Sequence, residues 1–120
     1  MGTDEIVLLK VDEIKGSKKE EGVFVKLLAS GENVSLSLLQ AEPGTSFEIH
    51  DHEEEELSYI LQGKAIMTVE EETYDIEAPY VIKVPPHVRH GLTVIGTETL
   101  LKLNAHSPPR ITALRHEPLK

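Results

Sequence analysis

Short apolar runs separated by polar turn residues follow one another along the chain, a pattern typical of β-strands. In the run 34–41 the side chains alternate, with Val34 and Leu36 on one face and Ser35 and Ser37 on the other. No segment has a sustained 3.6-residue apolar period, apart from a short stretch near the end of the chain. The runs predicted as strands are residues 6–9, 23–29, 34–41, 46–52, 57–61, 64–70, 73–76, 80–84, 89–95 and 99–104.

Turn signals divide these runs at intervals of about 8–12 residues, as in all-β sandwiches and barrels. Residues 16–22 (GSKKEEG) are predicted as a polar turn, and the pairs at 43–44 and 62–63 mark two more. We therefore predict an all-β fold of antiparallel strands. The 120 residues hold no internal repeat, so we predict one domain over 1–120, with an irregular or outward-packing tail at 107–120.

Composition and charge exclude several classes of partner and site. The formal net charge of -9 repels phosphate backbones and anionic lipid, so neither nucleic acid nor a membrane is expected as a partner. Cysteine is absent, which excludes disulfides, thiolate metal sites and a cysteine nucleophile. No apolar run reaches the roughly 18 residues of a membrane span, and the first residues lack a signal-peptide pattern. We therefore expect a soluble, cytoplasmic protein.

Two histidines, His50 and His52, lie at the end of the strand predicted at 46–52. Alternate side chains of a strand point to the same face, so both imidazoles can reach one ion. Residues 53–55 are predicted as a turn, after which Glu56 opens the returning strand and can bring a carboxylate to the same ion. The spacing therefore predicts three metal ligands.

A fourth ligand can come from His90, which follows the Pro85-Pro86 pair and opens another predicted strand. Three imidazoles and one carboxylate form a nitrogen and oxygen site for one divalent transition metal ion. Such a ligand set suits Fe, Mn, Ni, Zn or Cu and does not select among them.

These residues carry a resemblance to the cupin superfamily. The segment 44–63 resembles its first motif, G-x5-H-x-H-x3-E-x6-G, with every fixed position present. The segment 79–94 resembles the second motif, G-x5-P-x-G-x2-H-x3-N, and matches it at Pro85 and His90. The resemblance implies a small jelly-roll barrel, or double-stranded β-helix. It also implies that the metal ligands are His50, His52, Glu56 and His90.

Four other titratable residues lie near these motifs or in the tail. If no bulge intervenes, Glu48 shares strand parity with His50 and its carboxylate faces the barrel as a base, whereas a bulge or a rim position turns it to solvent, which is the reading we favour. His87 is either an extra ligand or proton shuttle, or a solvent-facing turn residue, and we favour the turn. His106 and His116 lie in or near the tail and are expected at the surface.

Strand parity also predicts which side chains line the pocket. Ser58 and Ile60 share the parity of Glu56, and Leu92 and Val94 share that of His90. Parity does not decide whether three further residues face the cavity or a partner subunit: Tyr59, Met67 and Lys102. Aromatic residues make up only 4% of the chain, so mostly aliphatic walls are expected, which suit a small organic ligand.

Two classes of function stay open at this point. The first is an enzyme, either a dioxygenase-type oxidoreductase, which we favour, or a redox-neutral isomerase or decarboxylase. The second is a non-catalytic module that binds or senses a small ligand. Apolar residues at 6–9 and 23–28 exceed what one small barrel needs, which predicts a homodimer.

Overall fold

The alternating runs of the chain form two antiparallel sheets in the computed structural model, which describes residues 6–110. A 3-10 helix at Val11–Glu13 precedes the first strand. The strands are β1 Ser17–Glu20, β2 Val23–Ser30, β3 Ser35–Ala41, β4 Ser46–His50, β5 Glu55–Gln62, β6 Lys64–Val69, β7 Glu72–Glu77, β8 Tyr80–Val84, β9 His90–Ile95 and β10 Leu100–Ser107.

One sheet has six strands in the order β1-β2-β3-β10-β5-β8, and the other has four in the order β4-β9-β6-β7. The two sheets share one apolar cluster, which Ile60 and Leu100 enter from the larger sheet and Ala65 and Val94 from the smaller. Burying these faces against each other is the main gain in free energy on folding. The predicted all-β, jelly-roll architecture is confirmed.

Strand β5 has the clearest alternation of buried and exposed side chains. Glu56, Ser58 and Ile60 are buried, whereas Leu57 and Tyr59 are exposed on the outer face. Because alternate side chains of a strand point to the same face, the polar Glu56 and Ser58 and the apolar Ile60 all face the interior. Ser58 and Ile60 point inward, but neither they nor Val94 line the cavity as predicted, whereas Leu92 does.

Gly63 alone joins β5 to β6, and the turn depends on its lack of a side chain. Its φ is +100°, a region that side chains disfavour. A Cβ atom at this position would lie 2.9 Å from the Cα atom of Leu100. The turn can therefore lie directly against β10, which closes this end of the barrel.

Two local predictions are wrong. Residues 6–9 form no strand: they are 58% to 87% exposed and pair with none of the described strands. Their apolar composition, with β-branched Ile6 and Val7, favours a strand, but a strand also needs a neighbour to complete its hydrogen bonds. Residues 16–22 contain β1, whose polar side chains suit an edge strand paired on one side only.

Strand β10 extends to Ser107, three residues beyond the predicted end at 104. Of the predicted tail, residues 107–110 are described and 111–120 lie outside the described residues, as does His116. Arg110 is half-buried, and its backbone N–H donates to Ser35 Oγ at 2.9 Å. Within residues 6–110 no helix has the length and apolar character needed to cross a membrane.

Candidate metal centre

Three strands and one connection bring the predicted ligands together, with Glu56 and His90 buried and His50 exposed. His50 is the last residue of β4 and pairs with His90, the first residue of β9. His52 lies in the connection that follows, and Glu56 is the second residue of β5. All four side chains line the same cavity between the sheets.

The imidazole rings are close enough to share an ion. Ring centroids are 4.5 Å apart for His50 and His90, 5.0 Å for His52 and His90, and 5.5 Å for His50 and His52. One ligand atom from each ring lies within 4.8 Å of those of the other two. Ligand atoms about 2.0–2.2 Å from one ion must lie within such a distance of each other.

Each of these imidazoles is fixed in the tautomer that a ligand needs. Nδ1 lies 2.9 Å from a backbone carbonyl oxygen two residues away: Glu48 for His50, Glu54 for His52 and Val88 for His90. A carbonyl oxygen only accepts, so Nδ1 carries a hydrogen, and Nε2 keeps its lone pair whenever the ring is neutral. Such hydrogen bonds orient metal-binding histidines, so this donor set fits a divalent metal ion.

Glu56 contributes a buried carboxylate with two differently occupied oxygens. Oε1 lies 3.4 Å from Nε2 of His52, 3.9 Å from Nε2 of His90 and 3.2 Å from Nε2 of His106. Oε2 accepts from Lys102 Nζ and from Ser58 Oγ, both at 2.8 Å. One oxygen thus faces the imidazoles and the other faces a cation and a hydroxyl.

The charges of these groups follow from their contacts. Burial raises the pKa of the Glu56 carboxyl, but the charge of Lys102 and hydrogen bonds from His106, His52 and Lys102 hold it well below its usual range. The carboxylate is therefore ionised. The hydrogen bond to Glu56 raises the pKa of His52, despite its burial. Burial lowers the pKa of His90, which favours the neutral imidazole that a metal requires.

His106 was expected at the surface, and this prediction is wrong. It is only 5% exposed, lies opposite Glu56 in the pairing of β10 with β5, and forms a second group of possible ligands with Glu56 and His52. Because a carboxylate only accepts, its Nε2 donates to Oε1, and its buried Nδ1 has no hydrogen-bond partner among the described residues. The alternation of polar residues at 102, 104 and 106 is the signal that could have revealed it.

The structure does not bring Glu48 to the cluster. Phe47 pairs with Leu92 and His50 with His90, so β4 takes three steps where β9 takes two. This extra residue is a bulge, and it shifts the parity of the strand. Phe47 and His50 line the cavity, whereas Glu48 is exposed. The solvent-facing reading of Glu48 is thus the one found, and the alternative, a base that faces the site, is not met.

His87 occupies a turn and is exposed, as favoured from the sequence. Its φ is +68°, and its backbone N–H donates to the carbonyl oxygen of His52 at 2.8 Å. This contact ties the turn before β9 to the segment that carries His52. The side chain of His87 is not one of those that line the cavity.

The cavity beside the four residues has a volume of about 150 Å³. A cavity of about this size accepts a molecule as large as benzene. Its walls are mainly apolar, and two cationic side chains, Lys102 and Arg110, also line it. Arg110 Nη1 lies 3.0 Å from Oε1 of Glu54, and the same oxygen lies 3.5 Å from Nδ1 of His52. The apolar lining includes Val25, Leu39, Phe47, Met67, Ile82 and Leu92.

Comparison with known proteins identifies the architecture. Residues 37–105 match the family model described as the Cupin domain. The chain is 29% identical over 115 residues to an uncharacterized protein of Methanocaldococcus jannaschii, covering 91% of this chain and 92% of that protein.

Two solved structures share the fold. KdgF from a Halomonas species superposes with a TM-score of 0.81 at 22% identity, covering 90% of this chain and 100% of that chain. A predicted oxalate decarboxylase from Thermotoga maritima superposes with a TM-score of 0.72 at 21% identity, covering 84% of this chain and 98% of that chain. Likeness at these identities concerns the fold alone.

Proposed function

This chain belongs to the cupin superfamily, and from that premise we propose that it is a metal-dependent, dioxygenase-type oxidoreductase acting on a small organic substrate. The proposed ligands of one divalent transition metal ion are His50, His52, Glu56 and His90. One observation carries the proposal: one ligand atom from each of three imidazoles lies within 4.8 Å of the other two, and Oε1 of Glu56 lies 3.4 Å and 3.9 Å from Nε2 of His52 and of His90, beside an apolar cavity. A six-coordinate ion with four protein ligands would keep about two positions for exogenous groups.

Each part of the cavity has a distinct task in this proposal. The apolar walls exclude water and enclose a small organic molecule next to the ligands. The carbonyl contacts of the three Nδ1 atoms keep the imidazoles aimed inward before an ion arrives. Fe(II) at this position would supply the redox chemistry by which dioxygen oxidises the substrate. Three neutral imidazoles with one carboxylate suit that ion.

The activity is tested on protein purified without chelators. Its metal content is measured, Fe(II) is loaded anaerobically, and oxygen uptake is followed with a panel of 1,2-diols, diketones and thiols. We expect uptake with at least one chelating substrate and none with the metal-free protein. Fe(II)-loaded protein that consumes no oxygen with any of them would exclude the dioxygenase assignment.

The ligand assignment has a separate test that needs no substrate. His52→Ala should abolish stoichiometric metal binding, because His52 belongs to both groups of possible ligands. The matched control is His87→Asn, since His87 is exposed and asparagine tolerates its positive φ. The control should keep the metal content of the wild type. Unchanged metal content in His52→Ala would refute the assigned site.

A redox-neutral isomerase or decarboxylase acting on a small carboxylate is the second candidate. It is favoured by the two cations that line the cavity of this acidic chain, Lys102 and Arg110. Both cations already contact a carboxylate, Glu56 for Lys102 and Glu54 for Arg110, so a substrate carboxylate would compete with Glu54 for Arg110. Anaerobic turnover of a small carboxylate, with release of carbon dioxide or an isomer, would select this candidate. Metal binding with no turnover in either assay would instead indicate a binding or sensing module.

We also propose that the chain forms a homodimer. Val23 and Val25, from the apolar run at 23–28, are buried in the core and cannot contact a second chain. The apolar residues available for such a contact are the exposed Leu57, Tyr59 and Val81, on the outer face of β5 and β8, and the exposed residues 6–9. Patches of this kind favour protein contacts. Light scattering at micromolar concentration should give a dimer mass, and a monomer mass would refute this proposal.

A further inference from the structure

The two oxygens of the Glu56 carboxylate have different surroundings. Oε1 faces Nε2 of His52, His90 and His106 at 3.4, 3.9 and 3.2 Å. Oε2 faces away from this group and accepts from Lys102 Nζ and Ser58 Oγ, each at 2.8 Å. The carboxylate is therefore oriented, with one oxygen toward the ligands and one held on the opposite side.

Lys102 reaches Oε2 from some distance along the neighbouring strand. In the pairing of β10 with β5, Lys102 lies opposite Ile60, and Glu56 lies opposite His106. The lysine side chain must therefore extend past the pair formed by Ser58 and Asn104 to reach the carboxylate. Its side chain is 13% exposed and that of Glu56 is 5% exposed, so water competes little for this contact.

A metal-binding carboxylate can use one oxygen or both, and the second oxygen takes a further coordination position. We propose that Lys102 is a positioning residue that holds Oε2 of Glu56, so that Glu56 offers Oε1 alone and a coordination position stays open for substrate. This inference rests on the proposed function, because it assumes that Glu56 is a metal ligand. It assigns to Lys102 a task in the site that differs from binding the substrate itself.

The other partners of the carboxylate do not replace Lys102 in this role. His106 donates to Oε1, so it does not restrain Oε2. Ser58 does contact Oε2, but its hydroxyl also lies 2.7 Å from Asn104 Oδ1 and carries only one hydrogen. A charged donor holds a carboxylate more strongly than a neutral one. Lys102 is thus the dominant restraint on Oε2.

Mn(II) is the probe for the test, because its effect on the relaxation of water protons reports how many coordination positions are open to water. Lys102→Met removes the donor and keeps an unbranched side chain, whereas Lys102→Arg keeps a charged donor. Lys83→Met, on the exposed face of β8, is the matched control. Each protein is titrated with Mn(II), and the relaxivity per bound ion is compared with that of the wild type.

We expect Lys102→Met to bind one Mn(II) with relaxivity lowered by about twofold, because Oε2 then takes one of about two open positions. Lys102→Arg and Lys83→Met should keep the relaxivity of the wild type. If Lys102→Met does not fold, Lys102→Gln replaces it, since its shorter side chain ends before Oε2 and the same decrease is expected.

Two outcomes overturn the inference and leave the proposed function standing. Relaxivity per bound ion that is unchanged in Lys102→Met or its replacement would mean that Lys102 does not hold Oε2. A decrease in Lys102→Arg equal to that in Lys102→Met would mean that a charged donor at this position is insufficient. A wild-type protein that binds no Mn(II), Fe(II) or other divalent ion would instead refute the proposed function, and this inference with it.

Discussion

The inward face of strands β3, β10 and β5 is polar at one end and mainly apolar at the other. Inward-facing residues of the three strands pair in successive rows across the sheet. The rows, in the order β3, β10 and β5, are Ser35, His106 and Glu56; then Ser37, Asn104 and Ser58; then Leu39, Lys102 and Ile60; and finally Ala41 and Leu100. We call the first two rows, together with the neighbouring His50, His52 and His90, the polar end, and the last two rows, without Lys102, the apolar end.

The two ends make opposite contributions to the same fold. At the apolar end Ile60 and Leu100 are fully buried, and each buried aliphatic side chain contributes about 1.5–3 kcal/mol. At the polar end, burial exchanges hydrogen bonds with water for hydrogen bonds within the protein, and this exchange yields little net stability. The strands are continuous through both ends, so the apolar end can hold the polar end in place. Along the same strands, the apolar end thus contributes most of the stability and the polar end carries the candidate metal site.

The largest effect on stability should come from the apolar end. Ile60→Ala removes a side chain that is 0% exposed and should lower the free energy of unfolding by about 2–5 kcal/mol, because the cavity left behind collapses only partly. Urea denaturation measures the change. Leu61→Ala, at an exposed position of the same strand, is the control and should cost far less. Equal losses in the two variants would contradict the division into ends.

Metal binding should stabilise the protein through the polar end alone. At a free concentration of about 100 times Kd, a bound ion should raise the free energy of unfolding by about 2.7 kcal/mol. Thermal denaturation with and without Ni(II) measures this gain, which Ile60→Ala should retain in full because the two ends are independent. His52→Ala should show no gain. If Ni(II) no longer raised the free energy of unfolding in Ile60→Ala, the two ends would not be independent.

Strand parity explains which parts of this division can be predicted from the sequence. The inward direction of Glu56, Ser58 and Ile60 follows from their spacing alone, because β5 is regular from Glu56 to Ile60. The grouping of His50 with His52 follows from the motif, although β4 ends at His50 and His52 lies in the connection after it and not in the predicted strand 46–52. Regular strands with a polar and an apolar half therefore carry enough local information to place a site.

Other features depend on contacts that no local pattern contains. The bulge in β4 turns Glu48 outward, and one extra residue in a strand leaves no mark on the alternation of residues. His106 is buried because β10 continues alongside β3 and β5, although serine and two prolines at 107–109 suggest an early end. Residues 6–9 have strand composition without a paired neighbour. Each of these outcomes is decided by tertiary structure.

Acidity should affect the polar end and leave the apolar end almost unchanged. The hydrogen bond to Glu56 raises the pKa of His52, so His52 holds its proton to a higher pH than an ordinary histidine. An ion can bind only after that proton leaves, so affinity should fall as the pH decreases, starting above about 6.5. The loss should approach about tenfold per pH unit, measured by calorimetric titration with Ni(II).

The contrast with the apolar end supplies the control for this pH dependence. The loss of stability in Ile60→Ala should be the same at pH 6 and pH 8, because no titratable group is removed. Calorimetry in buffers of different ionisation enthalpy should also detect protons released on metal binding at low pH. Affinity that stays constant from pH 8 to pH 6 would argue against His52 as a ligand.

The smallest expected effect lies just outside the polar end, at Glu48. Its neighbour Phe47 lines the cavity, but the bulge leaves the carboxylate of Glu48 exposed. Glu48→Gln should therefore change the Kd for Ni(II) and any rate of turnover by less than about twofold, since an exposed charge is screened by water and salt. A tenfold loss of turnover with unchanged Kd would instead mean that β4 loses its bulge when substrate binds. The polar end would then extend along β4 as far as Glu48, and the boundary between the two ends would depend on the state of the site.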